Sequence, residues 1–265
     1  MKILFLGAGA FGEAMSRITK YNGHENLFFD PIKFPETKLE DVSNQADIII
    51  YTAPSEKHSE ILPNLPKDAP LICASKGFLS LKPFCEFKNF SAFGGAAFAD
   101  HIKEDADITF TASSELSEQL FSTETIKVEY TKDTLGILLC GALKNIYAIG
   151  AGMYGEVQKA EETQDYLVPY FTSVIKEMQV ILKENHANAE TLALSCGISD
   201  LVLSSTTDSR NFRFGRSILE NTTPETGTIE GVAAISSIKN YPDFIIPTSA
   251  TILKSIIEKV QDATK

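Results

Sequence analysis

Lys144 stands in the middle of CGALKNIYAIGAG (140–152), a stretch that is otherwise apolar, small or neutral. A helix of that composition is buried along its length. An ammonium carried into such a place must find partners or give up its proton. A lysine in that state can pass a proton to an oxygen or take one from it. Other stretches carry groups suited to holding an anion. Ser75-Lys76-Gly77 follows the strand-like residues 71–74. In an open parallel sheet that end of a strand faces the ligand crevice, although a surface lysine in a turn fits the tripeptide too. Ser209-Arg210-Asn211 lies in DSRNFRFGR, where the Arg210 guanidinium offers a rigid fork of donors to phosphate or carboxylate. Arg213 and Arg216 follow at helical spacing. Glu230 opens a helical pattern, where capping is its simplest use.

Gly7-x-Gly9-x-x-Gly12 comes directly after the apolar run KILFL and opens a helical stretch. In that setting the first glycine permits a tight turn, the second lets a pyrophosphate approach the backbone, and the third lets helix and strand pack closely. The helix start supplies unpaired N–H groups to the phosphates. Phe11 occupies the turn, where its ring either covers the pyrophosphate or packs inward. Asp30 follows about 20 residues on, which is the position of a carboxylate that accepts from ribose hydroxyls and repels a 2′-phosphate. It can equally cap the turn into Pro31, and Lys33 lies close by. The small residues Gly94 to Asp100 (GGAAFAD) either admit a ligand near the backbone or form a flexible turn.

Positioning these groups requires a sheet that ends at a crevice. Strand-like stretches at residues 2–6, 26–30, 47–52, 71–74, 107–112 and 126–130 alternate with helical ones, beginning with 12–20, which predicts a mostly parallel α/β sheet. The chain between Asp30 and Asp47 is too brief for a full crossover helix. After residue 133 the pattern becomes helical, at 134–154, 162–185, 189–194, 231–239 and 249–263, with Pro169 interrupting the second. The expected division is an α/β, Rossmann-type domain over 1–132 and an all-α domain over 133–265.

With 265 residues and a formal net charge of −11, nucleic acid and anionic membrane are poor partners. The short apolar start runs into a glycine turn rather than a cleavage site, and no segment has the length of a membrane span. The four cysteines form no C-x-x-C pair, so free thiols in a reducing cytoplasm are expected. The four histidines are scattered, and no metal is predicted.

The succession GAGAFG, SKG, GGAAFAD, GALKN, SDL, SRN-x-x-x-G and EGV resembles the bacterial-type NAD(P)-dependent glycerol-3-phosphate dehydrogenases over nearly the whole chain. The resemblance implies an oxidoreductase that uses NAD or NADP to interconvert dihydroxyacetone phosphate and sn-glycerol 3-phosphate, feeding glycerophospholipid synthesis. It implies that Lys144 exchanges the proton at the substrate C2 oxygen, with Asp200 holding it and Lys76 touching both substrate and cofactor. Ser209, Arg210 and Asn211 hold the substrate, Arg210 against its phosphate and near the cofactor. Gly95, Ala97 and Ala99 line the crevice. Gly7, Gly9, Ala10, Phe11, Gly12, Asp30 and Glu230 bind the cofactor. A homodimer is compatible with the long apolar helices.

The chain departs from the family at several points. Gly95-Ala96-Ala97-Phe98-Ala99 replaces the usual G-P-S-F-A, and the missing hydroxyl at Ala97 removes a contact worth about 1 kcal/mol. KAEETQDYL (159–167) replaces an Asn- and Arg-containing stretch, and Phe11 replaces a tryptophan. Two other readings stay open: a reductase of another small keto acid or keto phosphate, and a non-catalytic dinucleotide-binding redox sensor. The sensor has no need of Lys76, Lys144, Asp200, Arg210 and Asn211 together.

Overall fold

The run KILFL is apolar at every position because the strand it forms, β1 (Lys2–Leu6), is covered on both faces. Ile3 and Phe5 face one core, Leu4 and Leu6 the other. The computed structural model describes residues 1–78, 82–104, 106–154, 167–206, 209–224, 227–239, 241 and 243–264. Among these residues seven strands form one sheet. The remaining six are β2 (Glu25–Phe29), β3 (Ile48–Tyr51), β4 (Leu71–Cys73), β5 (Phe90–Gly95), β6 (Ile108–Ala112) and β7 (Ile126–Tyr130). Their order is β2-β1-β3-β4-β5-β6-β7, parallel throughout except for the β5–β6 pair. Helix α1 (Ala10–Tyr21) crosses from β1 to β2 and packs its apolar stripe on the Ile3–Phe5 face. The crossover from β2 to β3 is reduced to the five residues of α2 (Leu39–Ser43), as the short spacing requires.

β5 is absent from the sequence expectation, which reads Gly94 and Gly95 as part of a loop. Its end is glycine because backbone and side chains crowd it. A Cβ on Gly95 would lie 2.9 Å from the Phe110 Cα. Short helices α3 (His58–Ile61), α4 (Ala99–Lys103) and α5 (Glu115–Phe121) complete this half.

β7 ends at Tyr130 and α6 (Thr134–Met153) begins after three residues. Asp133 caps it: one carboxylate oxygen accepts from Gly136 N at 2.9 Å, the other from Asn188 N at 2.9 Å and Thr191 Oγ1 at 2.6 Å. α6 is long and apolar enough to cross a bilayer, but 89% of its most apolar window is buried inside the fold, and it is the axle of the helical half. Around it lie α7 (Leu167–Glu184), α8 (Asp200–Ser204), α9 (Arg210–Glu220), α10 (Glu230–Ile238) and α11 (Thr251–Ala263). The expected helix at 162–185 is described from Leu167, and its first five residues lie outside the described residues, as does most of KAEETQDYL. The stretch expected at 189–194 is a tight 3-10 turn, Ala189–Ala193.

α8 and α9 are helices that apolar periodicity does not announce. α9 is set by contact with α6. A Cβ on Gly215 would lie 1.9 Å from the Ile149 carbonyl oxygen, and one on Gly152 would lie 2.0 Å from that of Phe212. The two backbones therefore touch through glycine on both sides.

Candidate active site

Lys144 falls midway along α6 with 3% of its surface exposed, and Asp200, the first residue of α8, has 2%. The Lys144 Nζ donates to Asp200 Oδ1 at 2.6 Å and to Ser204 Oγ at 2.7 Å. Ser204 lies one helical turn beyond Asp200, so both groups face α6 together. Lys76, half-buried in the turn after β4, lies close enough to Lys144 and Asp200 for their charges to act on one another. Glu230, the first residue of α10, adds its field to both amines.

Burial is the strongest influence on Lys144 and lowers its proton affinity. Asp200 pulls it back, Lys76 pushes it down again, and Glu230 pulls it up. The amine titrates at about 8 rather than 10.5. For Lys76, burial acts in the same direction, but Asp200, Glu230 and the contact with Lys144 outweigh it, and its affinity is raised. Of the two coupled amines, Lys144 is the one that gives up its proton first. One turn before Lys144, the Cys140 thiol contacts Cys196; that contact and burial hold its pKa well above the ordinary value, so it is no nucleophile.

The glycine turn lies on the far side of Lys76, whose Nζ stands over the ring of Phe11. Gly7 has φ +104°, and a Cβ there would sit 2.9 Å from Ala53 N. Gly12 packs on Gly7 and Thr52, where a Cβ would come 2.3 Å from the Gly7 carbonyl oxygen. Gly9 differs: a Cβ on it would meet no atom within 4 Å, and it starts α1 with no side-chain cap. The open space and the uncapped N–H groups of the first turn fit a pyrophosphate. Phe11 is half-buried, packed against the α1 face of the sheet, with its ring 5.3 Å below the Lys76 Nζ. It joins the glycine turn to the lysine pair. Ala10 begins α1. Asp30 follows β2, and its carboxylate accepts from Ala8 N at 2.8 Å, Ile32 N at 3.0 Å and Lys33 N at 3.1 Å.

Asn211 sits in the first turn of α9. Its Nδ2 donates to Asn145 Oδ1 at 3.0 Å and its Oδ1 accepts from Gly231 N at 2.8 Å. It therefore ties α6 to the start of α10 and sets Glu230. Ser209 is buried just before α9. Arg210 is exposed at the start of that helix, with its guanidinium reaching over Gly227. Ala97 is buried beyond β5, and Ala99 starts α4. Lys144, Asp200, Lys76 and Glu230 are thus brought into one cluster, with Asn211 linking Lys144's neighbour Asn145 to the start of α10. Arg210 is exposed near Gly227, and Asp30 is joined to the glycine turn through Ala8 N. Ser204 is the member that sequence reasoning passed over. Its position four residues after Asp200 was the available signal.

Residues 133–261 match the family described as NAD-dependent glycerol-3-phosphate dehydrogenase C-terminus. A glycerol-3-phosphate dehydrogenase [NAD(P)+] of Teredinibacter turnerae is 28% identical over 92% of this chain and 86% of its own length. That of Saccharophagus degradans is 28% identical over 89% and 80%. The helical half of the chain is therefore similar to this family. Among solved structures, Plasmodium falciparum glycerol-3-phosphate dehydrogenase aligns with a TM-score of 0.80 at 17% identity, over 99% of this chain and 92% of the other. The Coxiella burnetii enzyme aligns at 0.77 and 19%, over 100% and 98%. These two share the fold, a Rossmann-type sheet followed by a helical half. A D-mandelate dehydrogenase in complex with NADH aligns at 0.52 and 13%, over 99% of this chain and 98% of the other.

Proposed function

We propose that the chain catalyses the reversible reduction of dihydroxyacetone phosphate to sn-glycerol 3-phosphate, the backbone unit of glycerophospholipids, with NADH or NADPH. In this reading residues 1–132 hold the dinucleotide and residues 133–265 hold the substrate and the acid. The observation that carries it is Lys144: a buried amine titrating at about 8, held by Asp200 and Ser204 beside a second cation, Lys76, which stands over Phe11 at the uncapped glycine turn.

The nicotinamide, when bound, supplies or accepts the hydride at the substrate C2 carbon. As charge builds on the C2 oxygen, Lys144 donates a proton to it and Lys76 stabilises the oxygen by its charge. Asp200 keeps Lys144 protonated until that moment and fixes its direction with Ser204. In the reverse direction the neutral Lys144 takes the hydroxyl proton. Arg210 takes the phosphate. Asn211 positions Asn145 and Glu230 rather than spending its donors on the substrate.

Steady-state oxidation of each reduced nicotinamide with dihydroxyacetone phosphate tests this. Lys144→Met is expected to lower kcat at least roughly a thousandfold while cofactor affinity is kept, the scale expected when a positioned general acid and its charge are both lost. A folded wild-type chain that binds NADH but turns over no dihydroxyacetone phosphate refutes the substrate. A Lys144→Met variant that keeps its kcat refutes the acid.

A further inference from the structure

The adenosine end of the crevice carries a second ion pair that the reaction does not use. Glu13 lies in the first turn of α1, its backbone N–H donating to the Gly9 carbonyl at 2.9 Å. Lys33 follows Asp30 by three residues and gives its backbone N–H to the Asp30 carboxylate. Its side chain then turns back, and the ammonium meets Glu13 Oε1 at 2.5 Å. Both side chains are about half exposed, so a ligand at this place reaches them.

Asp30 itself is rigid. Three backbone N–H groups from two segments fix its two oxygens, and one of them, Ala8 N, belongs to the glycine turn. A carboxylate has about four acceptor positions, so one remains for a donor arriving from the crevice. Burial works against its charge, but the N–H groups of Ala8, Lys33 and Ile32 and the Lys33 ammonium keep its pKa below the ordinary value. A ribose hydroxyl can donate to this oxygen. A phosphate there meets a fixed negative charge.

A lysine three residues past that carboxylate would ordinarily rescue a phosphate by pairing with it. Here the ammonium is already paired with Glu13. We propose that the Glu13–Lys33 pair is the device that makes this site select NADH over NADPH: Glu13 withdraws from the 2′ position the cation adjacent to Asp30. This rests on the reading of the glycine turn as the dinucleotide site. It goes further by choosing between the two cofactors and naming residues outside the glycine fingerprint.

Calorimetric titration of the full chain, without substrate, reads the inference directly. The ligands are NADH, NADPH and the fragments 5′-AMP and 2′,5′-ADP. Wild type is expected to bind NADH at least about tenfold more tightly than NADPH, since Asp30 repels a phosphate at close range. In Glu13→Gln the freed Lys33 raises the NADPH-to-NADH affinity ratio about fivefold, and salt suppresses the gain, as for any half-exposed charge pair. The fragments follow the same order. Adding Lys33→Met to Glu13→Gln abolishes the gain. Equal affinities in wild type, or a ratio unmoved by Glu13→Gln, overturn the inference while leaving the dehydrogenase reading intact. If neither dinucleotide binds, the dinucleotide site is refuted and the inference falls with it.

Discussion

Replacing Asp200 by asparagine exchanges one carboxylate oxygen for an amide group and removes the charge that keeps Lys144 protonated. The Nζ to Oδ1 distance is 2.6 Å, and both groups are buried. At an effective dielectric constant near 20, unit charges at that separation interact by roughly 6 kcal/mol, which bounds the effect from above. An asparagine oxygen and Ser204 still accept from the amine, so about half of this is recovered. The remainder lowers the Lys144 pKa by about 2 units, from about 8 to about 6. At pH 7 the protonated fraction then falls from about nine-tenths to about one-tenth. The assay is kcat/KM for dihydroxyacetone phosphate from pH 5 to 10. Wild type is expected to lose activity as pH rises through about 8. The variant is expected to lose it about 2 units lower, with activity at pH 7 down by at least roughly tenfold. The rising limb for glycerol 3-phosphate oxidation moves by the same amount, because the variant cannot alter the equilibrium between substrates. A variant whose limb stays near 8, even with low activity, refutes the claim that Asp200 sets the proton affinity of Lys144.

Three further outcomes follow from packing and hydrogen bonding. Gly215→Ala forces a methyl group to 1.9 Å from the Ile149 carbonyl, so α6 and α9 must part, and urea denaturation should show a loss of about 3 kcal/mol with little change in slope. Asp133→Ala strips the cap of α6 and leaves Asn188 N and Thr191 Oγ1 without their carboxylate. The expected cost is about 2 kcal/mol, roughly 6 °C in the thermal midpoint, checked by calorimetry. Asn211→Ala leaves Asn145 Oδ1 and Gly231 N unpaired in a buried place, releasing Glu230. Stability should fall by about 2 kcal/mol, and Asn211→Asp, which keeps the acceptor for Gly231 N, should recover part of it.

The site is legible in the sequence where a residue conflicts with its surroundings. Lys144 inside an apolar helix is such a conflict, and so is a glycine every few residues at the end of an apolar strand. Asp200, Ser209 and Asn211 conflict with nothing, and only their order along the chain, through resemblance, points to them. Ser204 stays hidden because a serine in a short helix has many ordinary uses. The same logic sorts the elements. β1, β3 and α6 are apolar because both sides of each are covered, and composition alone marks them. β5 and α9 owe their form to glycines that let other backbone come close, and nothing local in FSAFGG or RNFRFGRSILE indicates which backbone arrives. The pairing of Lys33 with Glu13, twenty residues apart, depends on how the turn after β2 folds back over α1.

On the proposed reading Lys144 must stay aligned with a carbon held beside the sheet, which independent motion of the two halves would prevent. The loop ahead of Asp200 opposes such motion. Ser195 N donates to Glu129 Oε1 on β7 at 2.5 Å, Cys196 N donates to Thr111 Oγ1 on β6 at 3.0 Å, and Ser195 Oγ donates to the Thr109 carbonyl. Thr111 in turn donates to Glu129 at 2.9 Å, so the two sheet residues hold each other in place. Asp200 begins one turn after these anchors. Lys144 is referenced to the same strands by another route, through the three residues that join β7 to α6 and the Asp133 cap between them. Both members of the ion pair are therefore fixed to the sheet, and through it to the glycine turn, within a short length of chain. Among the described residues Arg210 shows no such tether: it is exposed, on a helix packed on α6. On the proposed reading, the groups that handle the proton are built into the frame, and the guanidinium offered to the phosphate is exposed at the start of α9.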